Sequence, residues 1–246
     1  LCVYRPHEVV ILGDLVDFYA ASKYTKDPRR ATTLQDDIDQ AVELLKRIRH
    51  FLPDSKITLI EGNHEHRMHK DLCRRASEYR HLRALDLPTL LFCNELGVHW
   101  IPEDQFYKVG NIWFTHGESV SKFSSAWHLA EYGASIVLGH THRQQCRYHR
   151  TLDRMLMGWE VGCMCSFDVA VEYKKHPNWQ RGFLTIDWWQ KGRRAWAHGH
   201  LIDGSATAFN GMVVKVQPRM QSMKSGPDTR RTDLLLNRSA ILPHMG

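Results

Sequence analysis

The sequence has no long hydrophobic run and no recognisable leader. None of its apolar stretches approaches the roughly 18–20 residues that a membrane-spanning helix requires. Residues 1–7 show no charged segment followed by an apolar one, which is the pattern of a secretory signal. We therefore expect neither a membrane protein nor a signal-bearing precursor.

Cysteine is scarce, and no Cys-x-x-Cys pair is present. Six cysteines are scattered through 246 residues, a length that can build a hydrophobic core without disulfides. We expect reduced thiols and a cytoplasmic location. The closest pair, in Cys163-Met164-Cys165, is interpreted as buried strand packing rather than as a redox pair.

Excess charge is small and is concentrated near the end of the sequence. The chain has 33 Lys and Arg against 27 Asp and Glu, a net charge of +6. Residues 215–246 contain six of these bases, two of the acids and three prolines, without hydrophobic periodicity. We predict one domain over residues 1–214 and a basic, flexible tail over 215–246 that could contact nucleic acid weakly.

Histidine, in contrast, is abundant, and several histidines follow apparent strands. There are sixteen, and histidine is the commonest side chain for transition-metal ligation. Four segments share one pattern, in which an apolar, β-branched run leads through glycine or threonine to a polar side chain: residues 9–14, 57–64, 112–117 and 135–142. Short apolar runs are typical of strands buried on both faces, so the polar groups should lie at the carboxyl ends of four strands, on one rim of a sheet.

The polar groups at these four strand ends are the types that bind divalent metals. They are a carboxylate (Asp14), an amide (Asn63) and three imidazoles (His116, His140 and His142). Mixed nitrogen and oxygen ligands suit Mn, Fe, Zn, Ni or Co, and the lack of thiolates in this set argues against a structural zinc site. Each residue alone is weak evidence, but their joint occurrence at four strand ends predicts a metal site.

The spacing of apolar residues predicts the other elements. A stripe at helical spacing predicts a helix between the first two strands; it contains Ile38, Ala41, Val42, Leu45 and Ile48. Further helices are predicted over residues 65–80 and 123–132, and late strands over 155–171, 183–189, 195–202 and 206–216. This order predicts a layered α/β sandwich whose second sheet comes late in the sequence.

Four motifs, in this order, resemble those of the calcineurin-like metallophosphoesterases. They are Gly13-Asp14-Leu15-Val16-Asp17, Gly62-Asn63-His64-Glu65, His116-Gly117 and Gly139-His140-Thr141-His142. The resemblance covers roughly residues 8 to 190 and implies a β-sandwich flanked by helices, an αββα fold, with the metal site at the carboxyl ends of the strands. It also implies a hydrolase that cleaves a phosphate ester by in-line attack of a hydroxide bridging two divalent ions.

The resemblance assigns a role to each motif residue. Asp14 would bridge both ions, a set of three would hold one of them (Asn63, His116 and His140), and His142 would help to hold the other. His64 would face the phosphate as the catalytic residue that protonates the leaving oxygen, and Asp17 would orient it. Arg143, directly after the double histidine, could contact a substrate phosphate, although a solvated surface position is equally consistent with the sequence.

The sequence departs from the family pattern at one point. The family opens with an Asp-x-His motif that supplies two ligands to the second ion, and no Asp-x-His occurs in these 246 residues. Only twelve residues precede Gly13. We therefore expect an N-terminally truncated chain without the first strand, which would bind one ion better than the other and whose own activity is in question.

The substrate is predicted only by class. Protein phosphatases of this superfamily carry Arg-Gly after Gly-Asp-x-x-Asp and Arg after Gly-Asn-His-Glu, whereas here Phe18-Tyr19 and His66-Arg67 follow. This difference favours a phosphodiester or nucleotide over a phosphoprotein. The alternative is a catalytically impaired, nucleic-acid-associated binding subunit that retains the fold. The sequence does not indicate an oligomeric state.

Overall fold

The computed structural model describes residues 4–27, 30–167, 177–189, 194–203, 206–209 and 212–215. The predicted tail, apart from Lys215, lies outside these residues, so the boundary at residue 214 stays a prediction. The described helices are α1 (Leu34–Phe51), α2 (Glu65–Arg75), α3 (Leu87–Leu90) and α4 (Ser124–Tyr132), with 3-10 turns at Tyr19–Ala21, Ser77–Tyr79 and Arg83–Leu85. Among the described residues, no helix combines the length and the apolar character that crossing a membrane requires.

Two sheets form the centre of the fold. The first contains the parallel strands β1 (Glu8–Ile11), β2 (Lys56–Ile60) and β3 (Val98–Ile101), in that order. The second has the order β4-β5-β6-β8-β7 and contains β4 (Tyr107–Val109), β5 (Ile112–Thr115), β6 (Ser135–Leu138), β7 (Gln144–Arg150) and β8 (Met155–Val161). Strands β5, β6 and β8 are parallel, and β4 and β7 pair antiparallel at the two edges.

The buried side chains divide into three layers, which confirms the predicted αββα sandwich. Between the sheets, Ile60 and Ile101 pack in one cluster with three residues of the second sheet: Ile112, Phe114 and Val137. On the outer face of the first sheet, the stripe of α1 covers Ile57 and Leu59. On the outer face of the second, Leu129 of α4 packs against Ile136, Leu138 and Leu156. Alternate residues of a strand face opposite sides, so a single strand serves two layers.

Helix α1 forms where the hydrophobic stripe predicts it. Its first turn is closed by a capping box, in which the backbone N–H of Asp36 donates to Thr33 Oγ1 at 3.1 Å and the backbone N–H of Thr33 donates to Asp36 Oδ2 at 2.8 Å. Such a cap contributes about 1 kcal/mol. Helix α4 ends at Gly133, which adopts the left-handed conformation that closes a helix.

Several predicted boundaries were wrong. Helix α2 ends at Arg75 rather than at residue 80, because Ala76 leaves the helical conformation with φ −155°. Strand β8 ends at Val161, and residues 168–171 of the predicted strand lie outside the described residues. The second sheet does not come late in the sequence, since it is complete by Val161.

The late strands form hairpins of their own. Strand β9 (Gly182–Trp189) pairs antiparallel with β10 (Arg194–Leu201). The predicted strand over residues 206–216 was wrong, because β11 (Ala206–Phe209) and β12 (Met212–Lys215) are two short strands that pair antiparallel with each other. Strands β3, β4 and β7 were not predicted from the sequence.

Candidate metal centre

The predicted ligands follow the carboxyl ends of four strands, as the sequence analysis expected, but these strands belong to two sheets. Asp14 follows β1 and Asn63 follows β2 in the first sheet, whereas His116 follows β5 and His140 and His142 follow β6 in the second. Because the two sheets face each other, the loops at this end meet across the sandwich. The structure therefore brings together side chains that lie far apart in sequence.

Four of the predicted ligands surround one point. The Nε2 atom of His116 lies 2.9 Å from Asn63 Oδ1, 3.0 Å from His140 Nδ1 and 3.5 Å from Asp14 Oδ2. Donor atoms of Asp14, His116 and His140 all lie within 4.8 Å of one another. This is the spacing of side chains that can share one metal ion.

The protonation states fit metal ligation. His116 Nδ1 donates to the backbone carbonyl of Leu12 at 2.6 Å, which leaves the lone pair of the neutral ring on Nε2. Burial, and then repulsion from His116, lowers the pKa of His140 to about 4, so this ring is neutral at physiological pH. Burial alone would raise the pKa of Asp14, but its interactions with His142, His116 and His64 outweigh burial and lower it.

The contact between His116 and Asn63 tests whether these residues could bind a cation. With its proton on Nδ1, His116 presents a hydrogen-bond acceptor at Nε2, and that atom lies 2.9 Å from Asn63 Oδ1, which is also an acceptor. Two acceptors in contact repel each other unless a positive charge lies beside them. The donor set of carboxylate, amide and imidazole therefore fits a divalent first-row metal ion.

The backbone at the site is strained. Asp14, His140 and His142 adopt the left-handed conformation, with φ of 55°, 59° and 57°. For residues other than glycine this costs on the order of 1 kcal/mol or more each, and such residues cluster at functional sites. Gly13 also has a positive φ, of 84°, and a Cβ atom there would lie 2.6 Å from His116 Nδ1.

A buried carboxylate holds the first ligand loop in place, and the sequence analysis assigned it no role. Glu65, only 1% exposed, accepts the backbone N–H groups of Asp14 at 2.8 Å, Leu15 at 2.6 Å, Val16 at 3.2 Å and Gly62 at 2.9 Å. Burial and the nearby charge of Asp14 raise the pKa of Glu65 to about 7. The backbone N–H groups that donate to the carboxylate act in the opposite direction, but they are outweighed. Glu65 thus joins the loops after β1 and β2.

His64 and Asp17 are in contact, in the arrangement expected from the sequence. His64 Nδ1 lies 3.1 Å from Asp17 Oδ1, and His64 Nε2 lies 3.9 Å from Asp14 Oδ2. Burial alone would raise the pKa of Asp17, but hydrogen bonds from His64 and Arg30 lower it. The imidazole is therefore held beside the cluster by an ionised carboxylate.

Two arginines complete this edge of the site. Arg67 Nη2 donates to His64 Nε2 at 2.7 Å, and its Nη1 donates to Asp17 Oδ1 at 2.9 Å. Arg30 forms an ion pair with Asp17 Oδ2. Because an arginine can only donate, the neutral His64 ring carries its proton on Nδ1 and donates it to Asp17. The sequence left Arg67 open between a phosphate contact and a solvated surface position, as it did Arg143, and it did not single out Arg30 as a site residue.

His142 and Arg143 differ in what they contact. His142 Nε2 lies 4.0 Å from Asp14 Oδ2, and its ring packs edge-on against Trp179 at 4.3 Å between centroids. The guanidinium of Arg143 is directed to the buried Glu160, at 3.4 Å, and donates to the backbone carbonyl of Ser121. The guanidinium of Arg143 is thus already bound by Glu160 and Ser121. Phosphate binding by Arg143 stays a prediction.

The cysteine pair is not buried as the sequence analysis expected. Cys165 is exposed and Cys163 is half-buried, and their sulfur atoms lie 3.4 Å apart. They lie next to His142, because one donor atom from each of the three residues falls within 4.8 Å of the others.

A cavity of about 260 Å³ opens beside the ligand cluster. Three of the predicted ligands line it, namely Asn63, His116 and His140. Two carboxylates, Glu103 and Glu118, also line it. The cavity is therefore lined both by metal-type side chains and by two carboxylates.

Comparisons with known proteins agree with this geometry. A family model described as calcineurin-like phosphoesterase matches residues 2–156. The "Gene 54 protein" of Mycobacterium phage L5 is 30% identical over 211 residues, and that of Mycobacterium phage D29 is 31% identical over 208 residues. Each alignment covers 74% of this chain and 78% of the relative.

Proposed function

Because the chain belongs to the calcineurin-like phosphoesterase family, we propose that it hydrolyses a phosphate ester with the help of divalent metal ions, and that its substrate is a phosphodiester or a nucleotide. The observation that carries this proposal is the convergence of Asp14, Asn63 and His140 on the Nε2 atom of His116.

The donor set assigns the residues that would hold the ions. Asn63, His116 and His140 would bind one ion, and Asp14 would join them and reach toward a second ion beside His142. When bound, such ions polarise the phosphoryl oxygens and lower the pKa of coordinated water toward neutrality. The left-handed backbone of Asp14 and His140 holds these donors in position before any ion arrives.

In its doubly protonated, positive form, His64 gives the proton on Nε2 to the leaving oxygen and returns to the neutral ring. Its Nε2 atom faces the cluster, and its Nδ1–H is held by Asp17, which stabilises the positive ring that forms when Nε2 is protonated. Asp17 in turn is held by Arg30 and Arg67, so its carboxylate stays ionised and correctly oriented.

Arg67 binds the phosphate. In the structure its guanidinium donates to His64 Nε2, and a phosphate oxygen competes for the same N–H groups because an arginine–phosphate hydrogen bond is charge-assisted. Binding of the substrate therefore frees His64 Nε2 for proton transfer.

The two carboxylates that line the cavity support a phosphodiester substrate. Glu103 and Glu118 repel negative charge, and a phosphodiester carries one negative charge whereas an ionised monoester carries up to two. The absence of the phosphatase-type arginines after Asp17 and Glu65 agrees with this preference. The ligand-type residues that are present, three of which (Asp14, His140 and His142) adopt an energetically costly backbone conformation, favour the enzyme over the binding-subunit alternative.

A panel of substrates and metals tests the proposal. The chain would be stripped of metal, supplied with Mn²⁺, Co²⁺, Ni²⁺ or Zn²⁺, and assayed with bis(4-nitrophenyl) phosphate, 4-nitrophenyl phosphate and nucleotides. We expect metal-dependent hydrolysis, faster with the diester or a nucleotide than with the aryl monoester. Hydrolysis of the aryl monoester alone would overturn the substrate class, and inertness with every metal that binds would overturn the enzymatic function.

A further inference from the structure

A second cluster of metal-binding side chains lies beside the first and contains sulfur. Donor atoms of His142, Cys163 and Cys165 lie within 4.8 Å of one another, and the two sulfur atoms are 3.4 Å apart. In a tetrahedral zinc site with Zn–S bonds near 2.3 Å, two sulfur ligands lie about 3.8 Å apart. The three donors thus need only small movements to share one ion.

The backbone around this cluster is held by hydrogen bonds among three segments. The backbone N–H of Gln180 donates to the carbonyl of His142 at 2.9 Å, and the N–H of Cys163 donates to the carbonyl of Gln180 at 2.9 Å. The N–H of Gly182 donates to the carbonyl of Cys163 at 3.0 Å. His142 and Cys163 are therefore both fixed to the segment around Gln180, which pre-organises them next to each other.

Gly162 makes this close approach possible. It has φ +81°, and a Cβ atom at this position would lie 2.6 Å from the carbonyl oxygen of Gln180. Its N–H donates to the carbonyl of Arg143 at 2.7 Å. The turn that carries Cys163 toward His142 thus depends on a residue without a side chain.

The His142 ring also has a buried nitrogen atom, Nδ1, that lacks a hydrogen-bond partner among the described residues. Such atoms are uncommon in folded proteins, because leaving a buried polar group unpaired costs free energy. The packing of Trp179 against the ring keeps the imidazole in this orientation.

We propose that His142, Cys163 and Cys165 form a thiolate-containing binding site for a zinc ion. Two sulfur ligands and one imidazole favour Zn²⁺ over Mg²⁺ or Mn²⁺, which prefer oxygen. Three protein ligands leave a fourth position open, as in zinc sites that accept water or substrate. Asp14 Oδ2 lies 4.0 Å from His142 Nε2, so the His142 ring adjoins the Asp14, Asn63, His116 and His140 cluster.

Cobalt substitution tests the site directly, because Co²⁺ bound to thiolates gives a near-ultraviolet charge-transfer band that oxygen and nitrogen ligands do not give. The reduced chain would be titrated with Co²⁺ without oxygen, and then with Zn²⁺ to displace it. We expect the band in the wild type and its loss on zinc addition. Cys163→Ser and Cys165→Ser should each weaken the band, and the double variant should lose it.

The control variant is Cys73→Ser. Cys73 Sγ lies 3.5 Å from His69 Nε2 on α2, so this pair is the competing location for a sulfur-bound ion. The band should persist in Cys73→Ser. It should also persist in Asn63→Ala, a variant that damages only the Asp14, Asn63, His116 and His140 cluster. Asn63→Ala therefore distinguishes a failure of this proposal from a failure of the proposed hydrolysis. A band that survives in the Cys163/Cys165 double variant, or a fully reduced wild type without a band, would overturn the proposal.

Discussion

The carboxylate of Glu65 accepts the backbone N–H of Asp14 at 2.8 Å, across 51 positions of sequence. The same side chain accepts three more backbone N–H groups, from Leu15, Val16 and Gly62. Glu65 therefore shapes the loop that presents Asp14 to the metal site, although it is not itself among the proposed ligands.

Removing Glu65 should destabilise the protein strongly. Glu65→Ala leaves four backbone N–H groups without their acceptor, and each buried donor left unpaired costs about 1–3 kcal/mol. We expect the free energy of unfolding, measured with urea, to fall by about 3 kcal/mol or more. Glu43→Ala, at an exposed position of α1, is the matched control and should change little. Equal losses in the two variants would show that Glu65 does not hold the loops together.

The pH dependence of stability should report the raised pKa of Glu65. Its pKa is about 7 in the folded chain against 4.5 in the unfolded one, so the folded chain binds a proton between these values. The stabilisation that this bound proton gives the folded chain is fully present below pH 4.5, and it is lost as the pH rises through about 7. Urea unfolding of metal-free wild type and Glu65→Gln should therefore show the wild type losing its relative stability over this range. A relative stability that increases with pH would contradict the assignment.

Arg67 should affect substrate binding. Arg67→Ala removes the guanidinium that we propose binds the phosphate, and a hydrogen bond to a charged group contributes about 1.5–3 kcal/mol. We expect KM for bis(4-nitrophenyl) phosphate to rise by about 10-fold or more, with partial recovery in Arg67→Lys. Arg74→Ala, exposed on the same helix and paired with Asp71, is the control. If both alanine variants behaved alike, Arg67 would have no role in binding.

His64 and Asp17 should act as one unit. His64→Ala should lower kcat by about 100-fold or more, the usual contribution of a general acid. Asp17→Asn should also lower kcat, since Asp17 acts by orienting His64. In the double variant the two losses should not multiply, because residues in one network are not additive. If the losses in kcat multiplied in a double-mutant cycle, Asp17 would not act through His64.

The strand-end position of the candidate ligands could be predicted from the sequence, because each follows an apolar run. The pattern of a buried run and then a polar side chain is local, so it places Asp14, Asn63, His116 and His140 after strands without knowledge of the fold. The pattern did not show that the ligand-bearing strands belong to two sheets, because the sequence of a strand does not specify which strand it pairs with. Strand β7 was not predicted because it is a polar edge strand without an apolar run.

The supporting residues could not be predicted, because their roles depend on distant contacts. Nothing next to Glu65 in sequence indicates that it accepts N–H groups from residues 14–16. Cys163 was interpreted as strand packing because a glycine with positive φ at position 162 cannot be distinguished in sequence from any other glycine. Its approach to His142 follows only from the hydrogen bonds of both residues to Gln180.

The most direct test of the metal site is Mn²⁺-dependent hydrolysis of bis(4-nitrophenyl) phosphate after treatment with a chelator. Adding Mn²⁺ should restore hydrolysis in the wild type and in His149→Ala, whose histidine is exposed on β7, but not in His140→Ala or Asn63→Ala. Circular dichroism would confirm that all four proteins are folded. Wild-type rates in folded His140→Ala and Asn63→Ala, or full activity of the wild type in chelator, would contradict a catalytic metal ion at this cluster.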